Sequence, residues 1–113
     1  KRIILFLALS LVLCGCGEKE NLSEMEKLMK ENEHIIIDVR TNEEYNEGHV
    51  VNSINIPYDK INKNTNLDKN KLIFVYCKSG RRSKIASEEL VKLGYTNVKE
   101  FGGIIDWPYD IVK

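Results

Sequence analysis

The sequence predicts an α/β domain with a small, mostly parallel central sheet flanked by helices. Two nearly continuous apolar runs, "HIIIDV" and "KLIFVYC", read as strands buried on both faces, as parallel sheets require. The second run passes through a tight polar loop directly into an amphipathic stretch that closes on Gly94. Strand, loop and helix in that succession point to βαβ-type connections.

From the N-terminus, Lys1 and Arg2 precede the unbroken apolar run "IILFLALSLVLCG", after which the chain turns polar at "EKEN". A charged head followed by an apolar run of this length is the pattern of an export signal, and it is too short for a comfortable spanning helix. The run ends Leu13-Cys14-Gly15-Cys16, which resembles the lipobox of bacterial lipoproteins. In that resemblance Cys16 is the acylated residue and becomes the new N-terminus, while Cys14, preceded by leucine, leaves with the signal. The expected organisation is a signal peptide over 1–15, a short tether over 16–21 from lipidated Cys16, and one folded domain over 22–113. It implies an exported protein held on a membrane by its lipid, facing the periplasm or the cell exterior.

Cleavage before Cys16 leaves 98 of the 113 residues, enough for one modest domain. Without Lys1 and Arg2 the chain carries 15 basic and 17 acidic residues. That balance supplies no general attraction for nucleic acid. The distribution says more, because residues 18–60 hold 11 acidic against 5 basic side chains and residues 61–99 hold 3 against 9. The second half is electropositive.

Cysteine usage sharpens this. With Cys14 removed and Cys16 acylated, Cys77 has no disulfide partner in its own domain. His34 and His49 lack companions at ligand spacing, so neither a metal nor another cofactor is expected. A monomer is the default.

Within the domain, Ser23 and Glu26 match a capping box ahead of Met25, Leu28 and Met29, predicting a short amphipathic helix that packs on the sheet. The strand "HIIIDV" follows. Between the two strands, "DKINKNTNLDKNK" reads as loop, with a helical turn in "YDKIN". The helix predicted from Ser83 to Leu93 carries Ala86, Leu90 and Leu93 on one face, with Ile85 beside them, and Gly94 as its C-terminal stop. "NVKEF" is a short strand, and a tail containing Trp107 follows the glycine pair.

Cys77 therefore falls at the carboxyl end of a strand and just before a helix, where α/β folds build their sites. A thiolate there is favoured by the positive end of the helix and by Lys78, Arg81 and Arg82. Gly80 permits the backbone turn that aims successive N–H groups inward as an anion nest. Ser79 and Ser83 add hydroxyl donors. The bland alternative is a core thiol beside a solvated basic turn.

Four stretches, "IIIDVRTNEEYNEGHV", "SINIP", "VYCKSGRRS" with "EELVKLGYTNV", and "FGGIIDW", together resemble the single-domain rhodaneses, the thiosulfate sulfurtransferase family, over residues 22–107. "CKSGRR" is similar to that family's six-residue active loop. The resemblance implies that Cys77 takes a sulfane sulfur from thiosulfate or a similar donor, becomes a persulfide, and yields the sulfur to cyanide or a thiol. It implies that backbone N–H groups from Lys78 through Arg82 cradle that persulfide, with Lys78 and Arg81 attracting the anionic donor. Asp38 and Arg40 stand at family motif positions and are expected as an ion-paired support beneath the loop, with Ser83 assisting. His49 is expected in a turn contact and Trp107 as a packing anchor. A persulfide-carrying or sulfur-sensing module with little turnover is the alternative. Phosphatase or arsenate reductase chemistry fits less well, because the related loop is one residue longer and would place arginine where Ser83 stands. The chain also departs from the family at Asn52-Ser53, where glycine-alanine is common.

Overall fold

The computed structural model describes residues 22–113 of the chain. The signal segment 1–15, Cys14, the lipidation residue Cys16 and the tether 16–21 lie outside the described residues. Among the described residues no helix is long and apolar enough to cross a membrane.

Four parallel strands form the central sheet: β1 (His34–Asp38), β3 (Ser53–Asn55), β4 (Leu72–Cys77) and β5 (Val98–Gly103), in the order β3-β1-β4-β5. Strand β4 is central, and every residue from Ile73 to Cys77 is buried. Burial on both faces explains its unbroken apolar run. A two-stranded antiparallel sheet pairs β2 (His49–Val50) with β6 (Ile111–Val112).

Helices α1 (Leu22–Glu31) and α3 (Arg81–Lys92) cover opposite faces of the sheet, and α2 (Asn42–Glu47) sits in the crossover after β1. On the α3 side Ile37, Val39, Ile73, Val75 and Cys77 pack with Ala86, Leu90 and Tyr95. On the α1 side Ile36, Phe74, Tyr76 and Phe101 pack with Met25, flanked by Leu28, Met29 and Trp107. Alternate strand residues feed the two cores, because successive side chains of a strand point to opposite faces. Removing a side chain such as fully buried Phe74 would cost about 3–5 kcal/mol.

Three local expectations change. Helix α1 already includes Ser23, so that residue lies inside the helix instead of capping it. A capping box does occur, at Thr41 and Glu44, where it starts α2. Helix α3 begins at Arg81, two residues before Ser83, because Gly80 makes the turn that opens it. Its buried stripe consists of Ser83, Ala86, Ser87 and Leu90, while Ile85 is 42% exposed. At its far end Gly94, at φ +102°, donates to the Val91 carbonyl and Tyr95 donates to that of Leu90. This is a Schellman closure, for which glycine is suited. The helical turn expected in "YDKIN" is present as a single 3-10 turn, Tyr58–Lys60.

One irregularity matters for the site. Val75 pairs with Glu100 but Tyr76 pairs with Gly102, so Phe101 is an extra residue in β5. That bulge turns Phe101 onto the Tyr76 ring, with centroids 5.0 Å apart, and brings Gly102 and Gly103 beside Tyr76 and Cys77.

Candidate active site

Cys77 ends β4, and the chain then makes a three-residue turn, Lys78 to Gly80, before α3 begins. Gly80 adopts φ +113°, a conformation that side-chain-bearing residues rarely take. With that turn the Gly80 N–H donates to Cys77 Sγ at 2.9 Å. Burial alone would push the thiol up. Hydrogen bonds from the Ser83 and Gly80 N–H groups, the Ser83 hydroxyl and the Ser79 N–H outweigh it, and hold Cys77 below the ordinary cysteine value. Donors converge on the sulfur because α3 lacks a side-chain cap at Gly80, leaving its first N–H groups without intrahelical partners.

The loop rests on the end of β5. A Cβ at Gly103 would overlap the Lys78 carbonyl oxygen and lie 2.8 Å from Ser79 Cα, so only glycine lets the strand approach this closely. Ile105 N–H closes the contact by donating to the same carbonyl at 3.5 Å.

The basic residues divide by role. Lys78 and Arg81 are exposed at the mouth, and Ser79 is exposed between them. Arg82 is half-buried and bound to a carboxylate: its Nη1 and Nη2 donate to Glu44 Oε1 and Oε2 at 2.7 and 3.1 Å, while its charge still acts on Cys77. Glu44 Oε1 also accepts from the Thr41 N–H and hydroxyl, each at 3.1 Å. The Arg82 hydrogen bonds hold the Glu44 carboxyl at a pKa of about 2, well below its usual range, despite opposing burial. One carboxylate thus ties the start of α2 to the start of α3.

Asp38 and Arg40 form a buried ion pair, with Arg40 Nη2 at 2.7 Å from Asp38 Oδ2 and Nε at 3.0 Å from Oδ1. The pair is joined by Tyr76, whose hydroxyl donates to Asp38 Oδ2 at 2.6 Å and accepts from the Val50 N–H at 3.0 Å. Arg40 Nη2 also donates to the Gly48 carbonyl at 2.6 Å. Burial and the Asp38 hydrogen bond raise the Tyr76 hydroxyl well above the ordinary tyrosine value. Burial would lower the Arg40 guanidinium, but its bonds to Asp38 more than offset this and raise it. Asp38 stands opposite Tyr76 in the sheet, so its carboxylate shares the α1 face, whereas Cys77 faces α3. The ion pair consequently supports the Gly48–Val50 turn from the other side of the sheet and does not sit beneath the sulfur, because strand alternation separates neighbouring residues.

His49 Nδ1 lies 2.8 Å from the Tyr45 carbonyl and its ring stacks on Tyr45 at 3.7 Å, a turn contact. Trp107, partly buried, stacks on Phe101 at 4.7 Å against the edge of the α1-side core. Residues that reading along the chain left out are Glu44, Tyr76, Glu100, Gly102 and Gly103. Glu44 carried a signal, since Thr41-Asn42-Glu43-Glu44 has the capping-box spacing. The partnership of Glu44 with Arg82 carried none.

The model of the Rhodanese-like domain family matches residues 21–108. The thiosulfate sulfurtransferase PspE of Escherichia coli is 42% identical over 80 residues, covering 68% of this chain and 77% of that protein. The adenylyltransferase and sulfurtransferase uba4 of Ogataea parapolymorpha is 35% identical over 97 residues, which make up 83% of this chain but 25% of that protein. The chain therefore spans about a quarter of the length of that larger relative. Among solved structures, a rhodanese with anions from E. coli superposes with a TM-score of 0.65 at 40% identity, covering 71% of this chain and 98% of the other. A rhodanese-related protein from Thermoplasma volcanium superposes at 0.71 with 33% identity, covering 83% and 96%. With a family model that spans the described domain and a relative of this identity, the chain belongs to the rhodanese-like domain family.

Proposed function

We propose that this protein is a sulfurtransferase that moves a sulfane sulfur from thiosulfate or a similar donor to a thiophilic acceptor through a persulfide on Cys77. The observation that carries the reading is the 2.9 Å hydrogen bond from the Gly80 N–H to Cys77 Sγ, supported by a thiol that the Ser83, Gly80 and Ser79 donors hold below its ordinary value. In the first step the thiolate attacks the outer sulfur of thiosulfate. A Cys77 S–S bond forms, the donor S–S bond breaks, and its electron pair leaves with sulfite. In the second step cyanide or a thiolate attacks the terminal sulfur, and the breaking bond returns its pair to Cys77. Both forms of the sulfur are anionic. Fixed N–H donors stabilise them without reorganising during the reaction, and the exposed charges of Lys78 and Arg81 favour an approaching anion.

Intact-mass measurement after incubation with thiosulfate tests the reading. The expected result is the gain of one sulfur atom, abolished in Cys77→Ser, with thiocyanate released when cyanide follows. No mass gain on the natural chain overturns it. A stable persulfide without thiocyanate would instead assign the alternative role, a persulfide carrier with little turnover.

We further propose export and membrane attachment through lipid on Cys16. The support is the basic head, the apolar run and the Gly15-Cys16 junction. Fatty-acid labelling in a bacterial host should be lost in Cys16→Ser and kept in Cys14→Ser; label retained in the former removes the proposal.

A further inference from the structure

Glu100 is a carboxyl with 4% exposure on β5, and the transfer steps above make no use of it. The bulge at Phe101 leaves Glu100 level with Val75, on the α3 face. There Glu100 Oε1 accepts from the Ser83 hydroxyl at 3.0 Å. Ser83 is itself fully buried in the first turn of α3, its hydroxyl reaches the carbonyl of Gly80, whose N–H holds the sulfur, and its N–H and hydroxyl help keep the Cys77 thiol below its ordinary value. The same hydroxyl lies 3.0 Å from the Gly80 carbonyl and 3.4 Å from that of Gly102. A serine hydroxyl has one proton to donate. Its acceptors therefore compete, and ionised acceptors draw the stronger bonds.

We propose that Glu100 is a positioning residue that sets the reactivity of Cys77 by competing with its sulfur for the Ser83 hydroxyl proton. When the carboxyl holds that proton donor, the sulfur keeps its backbone N–H partners and loses the hydroxyl. When the carboxyl is replaced or withdrawn, the hydroxyl turns to the sulfur and stabilises its anionic form. Arg82 on α3 is bound by Glu44 on α2, Asp38 and Arg40 are paired across the sheet, and Lys78 and Arg81 are exposed in the loop. Lys99 neighbours Glu100 in β5, and Ser87 bonds back to the Ser83 carbonyl at 2.8 Å.

The inference rests on Cys77 as the reacting nucleophile, but its test does not require turnover. The readout is the pH dependence of Cys77 alkylation by iodoacetamide. Glu100→Gln replaces the carboxyl with a neutral amide, and Glu100→Asp keeps a carboxyl while drawing the acceptor back. Each should move the alkylation midpoint downward by on the order of half a pH unit, and the shift should vanish when Ser83→Ala is added. A purely electrostatic influence would spare Glu100→Asp and survive Ser83→Ala, and that pattern overturns the inference. So does an unchanged midpoint in either single variant that folds. If the shift is present but thiosulfate leaves no persulfide, the transfer reading fails and this coupling stands.

Discussion

Two strand-to-helix turns leave the same end of the sheet side by side, and they treat their helix starts in opposite ways. After β1, Thr41 caps α2: its Oγ1 accepts from the Glu44 N–H at 3.2 Å while Glu44 reaches back to the Thr41 N–H. After β4, Gly80 stands at the equivalent place and has no side chain to offer. The first turn is closed by its own residues. The second leaves its N–H groups for a sulfur anion. A helix start becomes chemically useful when nothing in the chain consumes its donors.

The largest effect should come from the network beside the first turn. Asp38→Ala leaves Arg40 buried without its partner, and loss of one member of such a pair costs about 3–5 kcal/mol. Urea denaturation should show it, whereas a midpoint near that of the natural chain would mean that the pair is dispensable. Next, Gly80→Asn gives the second turn a side-chain acceptor and strains its backbone. Withdrawing one preorganised donor from the sulfur should lower transfer about 10²–10³-fold, with the alkylation midpoint of Cys77 rising towards ordinary cysteine. Unchanged kinetics would show that the uncapped start is unimportant.

Thr41→Ala opens the first turn and should cost about 1 kcal/mol in thermal or urea unfolding. It should also loosen Glu44 from Arg82, so transfer should fall more than the stability change explains. The smallest effect concerns acid. Glu44 is depressed to a pKa of about 2 in the folded chain, so its stabilisation is complete above the ordinary glutamate value and disappears as pH falls towards about 2. Glu44→Gln should flatten that part of the stability profile. Cys77 follows the same sign: with its folded value lowered, thiolate stabilisation is lost as pH falls through that value.

Much of the architecture was legible along the chain. The apolar runs of β1 and β4 lie where expected, because strands buried on both faces announce themselves without alternation. The two-residue strands β2 and β6 were not legible, since neither has a periodic pattern and their pairing joins residues such as Val50 and Ile111. Strand β3 is similarly short. Ile85, beside the expected stripe of α3, is exposed, and serines join the buried face at 83 and 87. Their hydroxyls find partners at Glu100 and at the Ser83 carbonyl, which no pattern of hydrophobicity announces.

The sequence by itself determined the unpaired cysteine of the domain, its place at the end of an apolar strand, and the glycine and cations that follow. Those are local matters, governed by residue chemistry and by backbone freedom over a few positions. Tertiary structure decided which charges serve the sulfur. Only folding brings Glu44 onto Arg82, Glu100 onto Ser83, and Gly103 against the Lys78 carbonyl. It also placed the Asp38–Arg40 pair on the opposite face from Cys77, although Asp38 and Cys77 end neighbouring strands. The physical reason is register. A shift of one residue between strands reverses which side chains share a face, and register is set by the packing of the whole sheet.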